Sequence, residues 1–148
     1  MEKYNGKIIL GALELCDLPH LSISSLNVRV DTGAATSSLH VDNITEFYKE
    51  GAPWVSFDIH PDIHDVAQVV RREARVNSIK KVKSSSATKE KRYEIETEIK
   101  LAGQKWSIAI TLTDRSQMTY LMLLGRQAMQ GLFLVDPERE YIASSKRT

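Results

Sequence analysis

Hydrophobic and polar residues alternate most regularly between Tyr93 and Leu112. Tyr93, Ile95, Thr97, Ile99 and Leu101 interleave with Glu94, Glu96, Glu98 and Lys100, a period of two over nine residues. Ala102-Gly103-Gln104 supplies a turn, after which Trp106, Ile108, Ile110 and Leu112 alternate with Ser107, Ala109, Thr111 and Thr113. The two runs predict a hairpin with one buried face. Further strands are expected at Lys7–Leu10, Ser25–Val30, Trp54–Ile59, Arg75–Val82, Leu121–Leu124 and Leu132–Val135, and short helices at Asn43–Lys49 and Gln127–Gln130. Ser84-Ser-Ser-Ala-Thr88 is a polar break of the kind found at a hairpin tip. Many short strands and almost no helix predict an all-β domain, a closed or nearly closed barrel that hides its edges.

Length and composition agree with this. A chain of 148 residues, 42% hydrophobic and 26% charged, buries roughly 70% of its unfolded surface and forms one domain over residues 1–148. The longest apolar run, Tyr120–Leu124, is far too short to cross a bilayer. The N-terminal residues lack the apolar core of a signal peptide. One cysteine, Cys16, cannot form an internal bridge, which fits a reducing cytoplasm.

The net charge of +1 conceals an asymmetry. Arg71 to Arg92 contains nine basic and two acidic residues, +7 in total, which leaves −6 for the remainder. Such a stretch belongs to a solvated hairpin or to an anionic partner. A nucleic-acid patch would be interleaved with aromatic residues, and Tyr93 at its edge is the only one, so that partner is disfavoured.

The sharpest chemical signal is Val28-Arg-Val-Asp31-Thr32-Gly33-Ala34. An apolar strand ends in a carboxylate, and a turn of small residues follows, whose N–H groups can fix its direction. About ninety residues later stands Leu123-Leu-Gly-Arg126, before a short helical stretch. Asp-Thr-Gly-Ala with a distal Leu-Leu-Gly-Arg resembles the single-domain, retroviral-type aspartic proteases. Leu112-Thr-Asp-Arg-Ser-Gln-Met118 and Phe133-Leu-Val-Asp-Pro137 are similar to one bacterial branch of that group. Its members are retropepsin-like peptidases associated with ATP-grasp glutamate ligases, often labelled ATP-dependent zinc proteases.

The resemblance implies a retropepsin-like barrel with one or two short helices, and catalysis by two carboxylates sharing a proton around a water. Only one of the eight Asp residues, Asp31, precedes Thr-Gly, so one chain supplies half a site and a symmetric homodimer the whole. It further implies that Thr32 braces the dyad across the dimer, with Gly33, and that Ala34 and Arg126 contact substrate. Two departures stand out. The acid that normally follows the motif is replaced by Ala35, leaving Arg126 to bond backbone carbonyls or an acidic substrate. Retroviral flaps are Gly-rich, whereas Trp54–Arg75 contains no Gly.

A partner ligase that adds glutamates would create acidic tails. Arg71, Arg72, Arg75, Lys80, Lys81 and Lys83 are the candidate residues to steer such a tail into the cleft. No cofactor is called for: there is neither His-Glu-x-x-His nor a Gly-rich phosphate loop. The best metal candidates, His60, Asp62, His64 and Asp65, form an incomplete set, and no metal is assigned. The alternatives are a non-catalytic peptide- or protein-binding β domain and a metal-dependent peptidase.

Overall fold

The computed structural model describes residues 1–60, 69–83, 89–113 and 120–144, with side chains left undescribed at 82, 83, 89 and 90. Twelve strands occupy most of these residues: β1 (Lys3–Tyr4), β2 (Lys7–Leu10), β3 (Leu13–Leu18), β4 (Ile23–Val30), β5 (Ser37–His40), β6 (Asp42–Lys49), β7 (Ala52–Ile59), β8 (Val70–Lys83), β9 (Lys89–Leu101), β10 (Gln104–Thr113), β11 (Met122–Leu124) and β12 (Phe133–Val135). One α-helical turn, α1 (Arg126–Met129), and one 3-10 turn at Pro19–Leu21 complete the described elements.

The β9–β10 hairpin is the one the alternation predicts, paired from Tyr93↔Leu112 to Leu101↔Gln104. Ile95, Ile99, Ile108, Ile110 and Leu112 are buried on its inner face. β10 continues to β5, β11, β4, β3 and back to β9, closing a six-stranded barrel. Closure leaves no edge among these strands, which is how small all-β domains avoid unpaired backbone. One seam is thin: among the described residues β3 meets β9 through the single pair Asp17↔Lys100. Val28, Leu39, Met122 and Leu124 join the hairpin residues in the barrel core, each worth about 1.5–3 kcal/mol for full burial.

From β9 the sheet runs outward through β8, β7 and β6, forming a wing beside the barrel. Val55, Phe57 and Ile59 on the wing's inner face are fully buried. A separate small sheet, β1-β2-β12, joins residues from both ends of the described chain. Among the described residues no helix is long and apolar enough to cross a membrane.

The structure corrects several sequence expectations. Asn43–Lys49 is strand β6 and not a helix, paired with β7 from Asp42↔Asp58 to Lys49↔Ala52. The second helix stands one residue earlier than expected, at Arg126–Met129. Strands β3 and β5 were not anticipated. In β3, Glu14 occupies a position with no solvent exposure. Its carboxylate accepts hydrogen bonds from the Gly11 N–H at 2.7 Å, the Ser144 hydroxyl at 2.6 Å and the Ile142 and Ala143 N–H groups at 3.3 Å. The stretch 84–88, expected as a hairpin tip, lies outside the described residues, but β8 and β9 on either side of it pair antiparallel up to Lys83↔Lys89.

Candidate active site

Strand β4 delivers Asp31 to the rim of the barrel. Leu26, Val28 and Val30 anchor it in the core, and the chain leaves the strand at Asp31, whose N–H donates to the Leu124 carbonyl at 2.9 Å. The loop then folds back on its own carboxylate: the Gly33 N–H donates to Asp31 Oδ1 at 2.9 Å. A Cβ at Gly33 would stand 3.1 Å from that oxygen, so a side chain there would push the carboxylate by a few tenths of an ångström. Asp31 is half-buried, while Thr32 and Gly33 are exposed.

The distal motif closes over this loop. β11 runs parallel to β4, with Leu124 opposite Val30, and antiparallel to β5. The first turn of α1 donates its free N–H groups to the loop, Arg126 to the Ala34 carbonyl at 2.8 Å and Gln127 to the Ala35 carbonyl at 3.1 Å. The Arg126 guanidinium donates to the Thr32 carbonyl at 3.2 Å. With no acid at position 35, the exposed Arg126 guanidinium rests on this backbone carbonyl. The two sequence motifs thus form one interlocked unit.

Asp31 opens onto a cleft of about 370 Å³. Ala34, Thr36, Ser38 and Leu123 line it from the loop side, and Thr111 and Thr113 from β10. The opposite wall is the β8–β9 hairpin, represented by Lys80, Arg92 and Glu94. Among the described residues this hairpin, and not Trp54–Ile59 or Val70–Arg75, lines the cleft beside Asp31. Lys80 and Arg92 are directly paired across the strands. Glu94 is held by the Asn77 amide at 3.1 Å and the Ser78 hydroxyl at 3.0 Å.

The six basic residues singled out in the sequence are dispersed. Among their described side chains, only Lys80 lines the cleft. Arg71 is paired with Asp58 at 2.8 Å on the wing, and Arg72 donates to the Leu21 and Arg71 carbonyls. Arg75 is exposed on the wing, opposite Trp54 in register. Lys81 is exposed and alternates to the face away from Lys80. The side chain of Lys83 lies outside the described residues. Arg92, Glu94 and the threonines were missed. Their period-two placement opposite the buried face of β9 and β10 was the available signal.

Other candidates resolve differently. Asp62, His64 and Asp65 lie outside the described residues. His60 contacts Asp42 at 2.6 Å, and the buried His40 approaches the same carboxylate at 3.5 Å. Among the described residues no three His, Cys, Asp or Glu side chains are grouped to hold a metal ion. Cys16 is buried, and burial pushes its thiol pKa strongly up, which leaves it unreactive as a nucleophile.

Comparison with known proteins places these features in context. A family model, RimB-like, described as retropepsin-like aspartic endopeptidase RimB, matches residues 9–146. A probable alpha-L-glutamate ligase of Shewanella pealeana is 43% identical over 142 residues, covering 96% of this chain and 31% of that protein. One of the same name from Parasynechococcus marenigrum is 48% identical over 132 residues, 89% of this chain and 28% of that protein. The chain therefore spans about 30% of the length of these curated relatives. The crystal structure of a Legionella pneumophila protein of unknown function superposes with a TM-score of 0.76 at 29% identity, covering 92% of this chain and 98% of that one.

Proposed function

The chain belongs to the RimB-like family of retropepsin-like aspartic endopeptidases, and we propose that it is a homodimeric aspartic endopeptidase whose two Asp31 carboxylates meet on the two-fold axis. The observation that carries this reading is the Asp31 loop itself. Its carboxylate is fixed by the Gly33 N–H and faces a cleft, and the loop is clamped by Arg126 from the far end of the sequence.

In the dimer the two carboxylates hold one proton, because two like charges in contact cannot both ionise. The ionised Asp31 takes a proton from a water, and the protonated one donates to the scissile carbonyl oxygen. Attack gives a tetrahedral diol. Collapse breaks the C–N bond, and the amine leaves with a proton from the dyad. Thr32 braces the pair across the interface. Gly33 and Ala34 form the floor under the substrate backbone.

The substrate we propose is an acidic peptide segment, including glutamate extensions on a protein. Two observations support this. Lys80 and Arg92 stand directly opposite each other in the cleft, beside Glu94, and two like charges so placed gain from a further anion bound between them. The relatives bear the name probable alpha-L-glutamate ligase, and a chain of joined glutamates is acidic. A functional link to such an ATP-grasp ligase, in a cytoplasmic setting, follows from the same reading. Asp31→Asn should abolish cleavage of a glutamate-rich peptide while the dimer persists in sedimentation. Cleavage by Asp31→Asn at the wild-type rate would sink the aspartic mechanism and leave a peptide-binding β domain.

A further inference from the structure

Lys80 and Arg92 are not the last cations on this sheet face, which carries Glu94 and Glu73 among them. On β8 the outward positions are Arg71, Glu73 and Arg75; past a bulge at Asn77 they continue with Ser78 and Lys80. One face of the sheet therefore runs from the wing directly into the cleft beside Asp31.

The wing end of this face has its own chemistry. Trp54 of β7 lies opposite Arg75 of β8 and Phe47 of β6. The Phe47 and Trp54 rings are 6.4 Å apart at a 34° tilt, and Lys49 Nζ sits 4.8 Å over the Trp54 ring. Arg71 is already committed to Asp58, Thr45 and Ser56, and Glu73 stands between Arg71 and Arg75. Lys49 and Arg75 are both exposed and make no ion pair among the described residues. Two cations without an ion pair among the described residues thus flank a pair of aromatic rings, on the face that leads to two more in the cleft.

We propose that this wing face is an exosite for the acidic segment of the substrate that extends beyond the cleft. The proposal rests on the reading of the cleft as an acidic-peptide site and adds a second contact to it. At roughly 3.3 Å per residue, Arg75 stands about 16 Å along β8 from Lys80, the reach of about five extended residues. A short acidic peptide fills the cleft alone, whereas a longer one also reaches Arg75 and Lys49. There the methylene stems of its glutamates cover Trp54 and Phe47, and Lys49 turns from the ring to a carboxylate. The wing thereby makes the enzyme a reader of acidic-tract length.

The experiment compares labelled peptides of four and of ten glutamates by fluorescence anisotropy, using the full chain and its Lys49→Glu/Arg75→Glu variant. Both positions are exposed, so the variant should melt at the wild-type temperature. The ten-residue peptide should bind wild type about tenfold or more tightly than the short one. The variant should lose that gain and keep wild-type affinity for the short peptide. The exosite is refuted if the variant keeps the gain, if both lengths bind wild type equally, or if neither binds. It is also refuted if single-stranded RNA of matched charge binds through the same two residues more tightly than the peptide. Cleavage of the long peptide by wild type and Asp31→Asn is scored separately, so failure of the wing and failure of the catalytic reading give different results.

Discussion

Gly125 lies against the Thr36 backbone so closely that a Cβ there would stand 2.5 Å from the Thr36 carbonyl carbon and oxygen. Its N–H donates to the Ser37 hydroxyl at 3.0 Å. This contact brings the start of α1 onto the loop that carries Asp31. Gly125→Ala must push backbone against backbone, which no side-chain rotation relieves. We expect a loss of about 1–3 kcal/mol in denaturant unfolding and, on the peptidase reading proposed above, a larger proportional loss of cleavage, because the displaced element carries Arg126. Wild-type stability in Gly125→Ala would show that the contact relaxes freely.

Glu14 gathers donors from two parts of the chain, Gly11 and residues 142–144, and makes the β3 strand a binding post for the latter. Glu14→Gln keeps the shape but turns an amide NH2 toward N–H groups. A loss of about 3 kcal/mol is expected, read as a lowered urea midpoint. The same variant should release residues 142–144 to faster amide exchange.

Thr97 presents the opposite case. It is 3% exposed, and its hydroxyl has no hydrogen-bond partner in the structure among the described residues. Thr97→Val removes the orphaned hydroxyl at nearly constant volume and should stabilise the barrel by about 1 kcal/mol. A destabilised Thr97→Val protein would mean that the hydroxyl has a partner after all.

On the wing, Asp58 has a carboxyl pKa below its ordinary value of 3.8, held down first by the Asn43 amide and then by Arg71. A depressed folded-state pKa contributes stability that is present above the unfolded value and fades as pH falls through the folded one. The Asp58 titration followed by carbon NMR should therefore have its midpoint below 3.8, and Arg71→Met should raise it. An unshifted midpoint in wild type would contradict the pairing.

The legible parts of this fold are those where side-chain burial follows the strand period. β9 and β10 could be read because every second residue faces the barrel core. β3 was obscure because a carboxylate occupies one of its buried positions, and β5 because Ser37, Ser38 and His40 are buried alongside Leu39. Glu14 is met by residues 142–144 and Ser37 by the Gly125 N–H, distant partners that no local pattern records. β6 resembled a helix because its two faces are similarly half-polar, which hides the alternation. For the site, Asp31 and Arg126 were found through their motifs. Arg92 was passed over because its importance comes from standing opposite Lys80 across a hairpin, and pairing register is not written in local spacing.

The clamp on the Asp31 loop joins residues that are made at very different times. Arg126 reaches Thr32 across 94 positions, and Gly125 reaches Ser37 across 88. Contacts of such separation form late, since the intervening chain must be closed first. A nascent chain therefore carries its aspartate past the ribosome exit long before anything holds that loop in working shape. On the peptidase reading proposed above, competence to cut arrives only after the second motif has been translated.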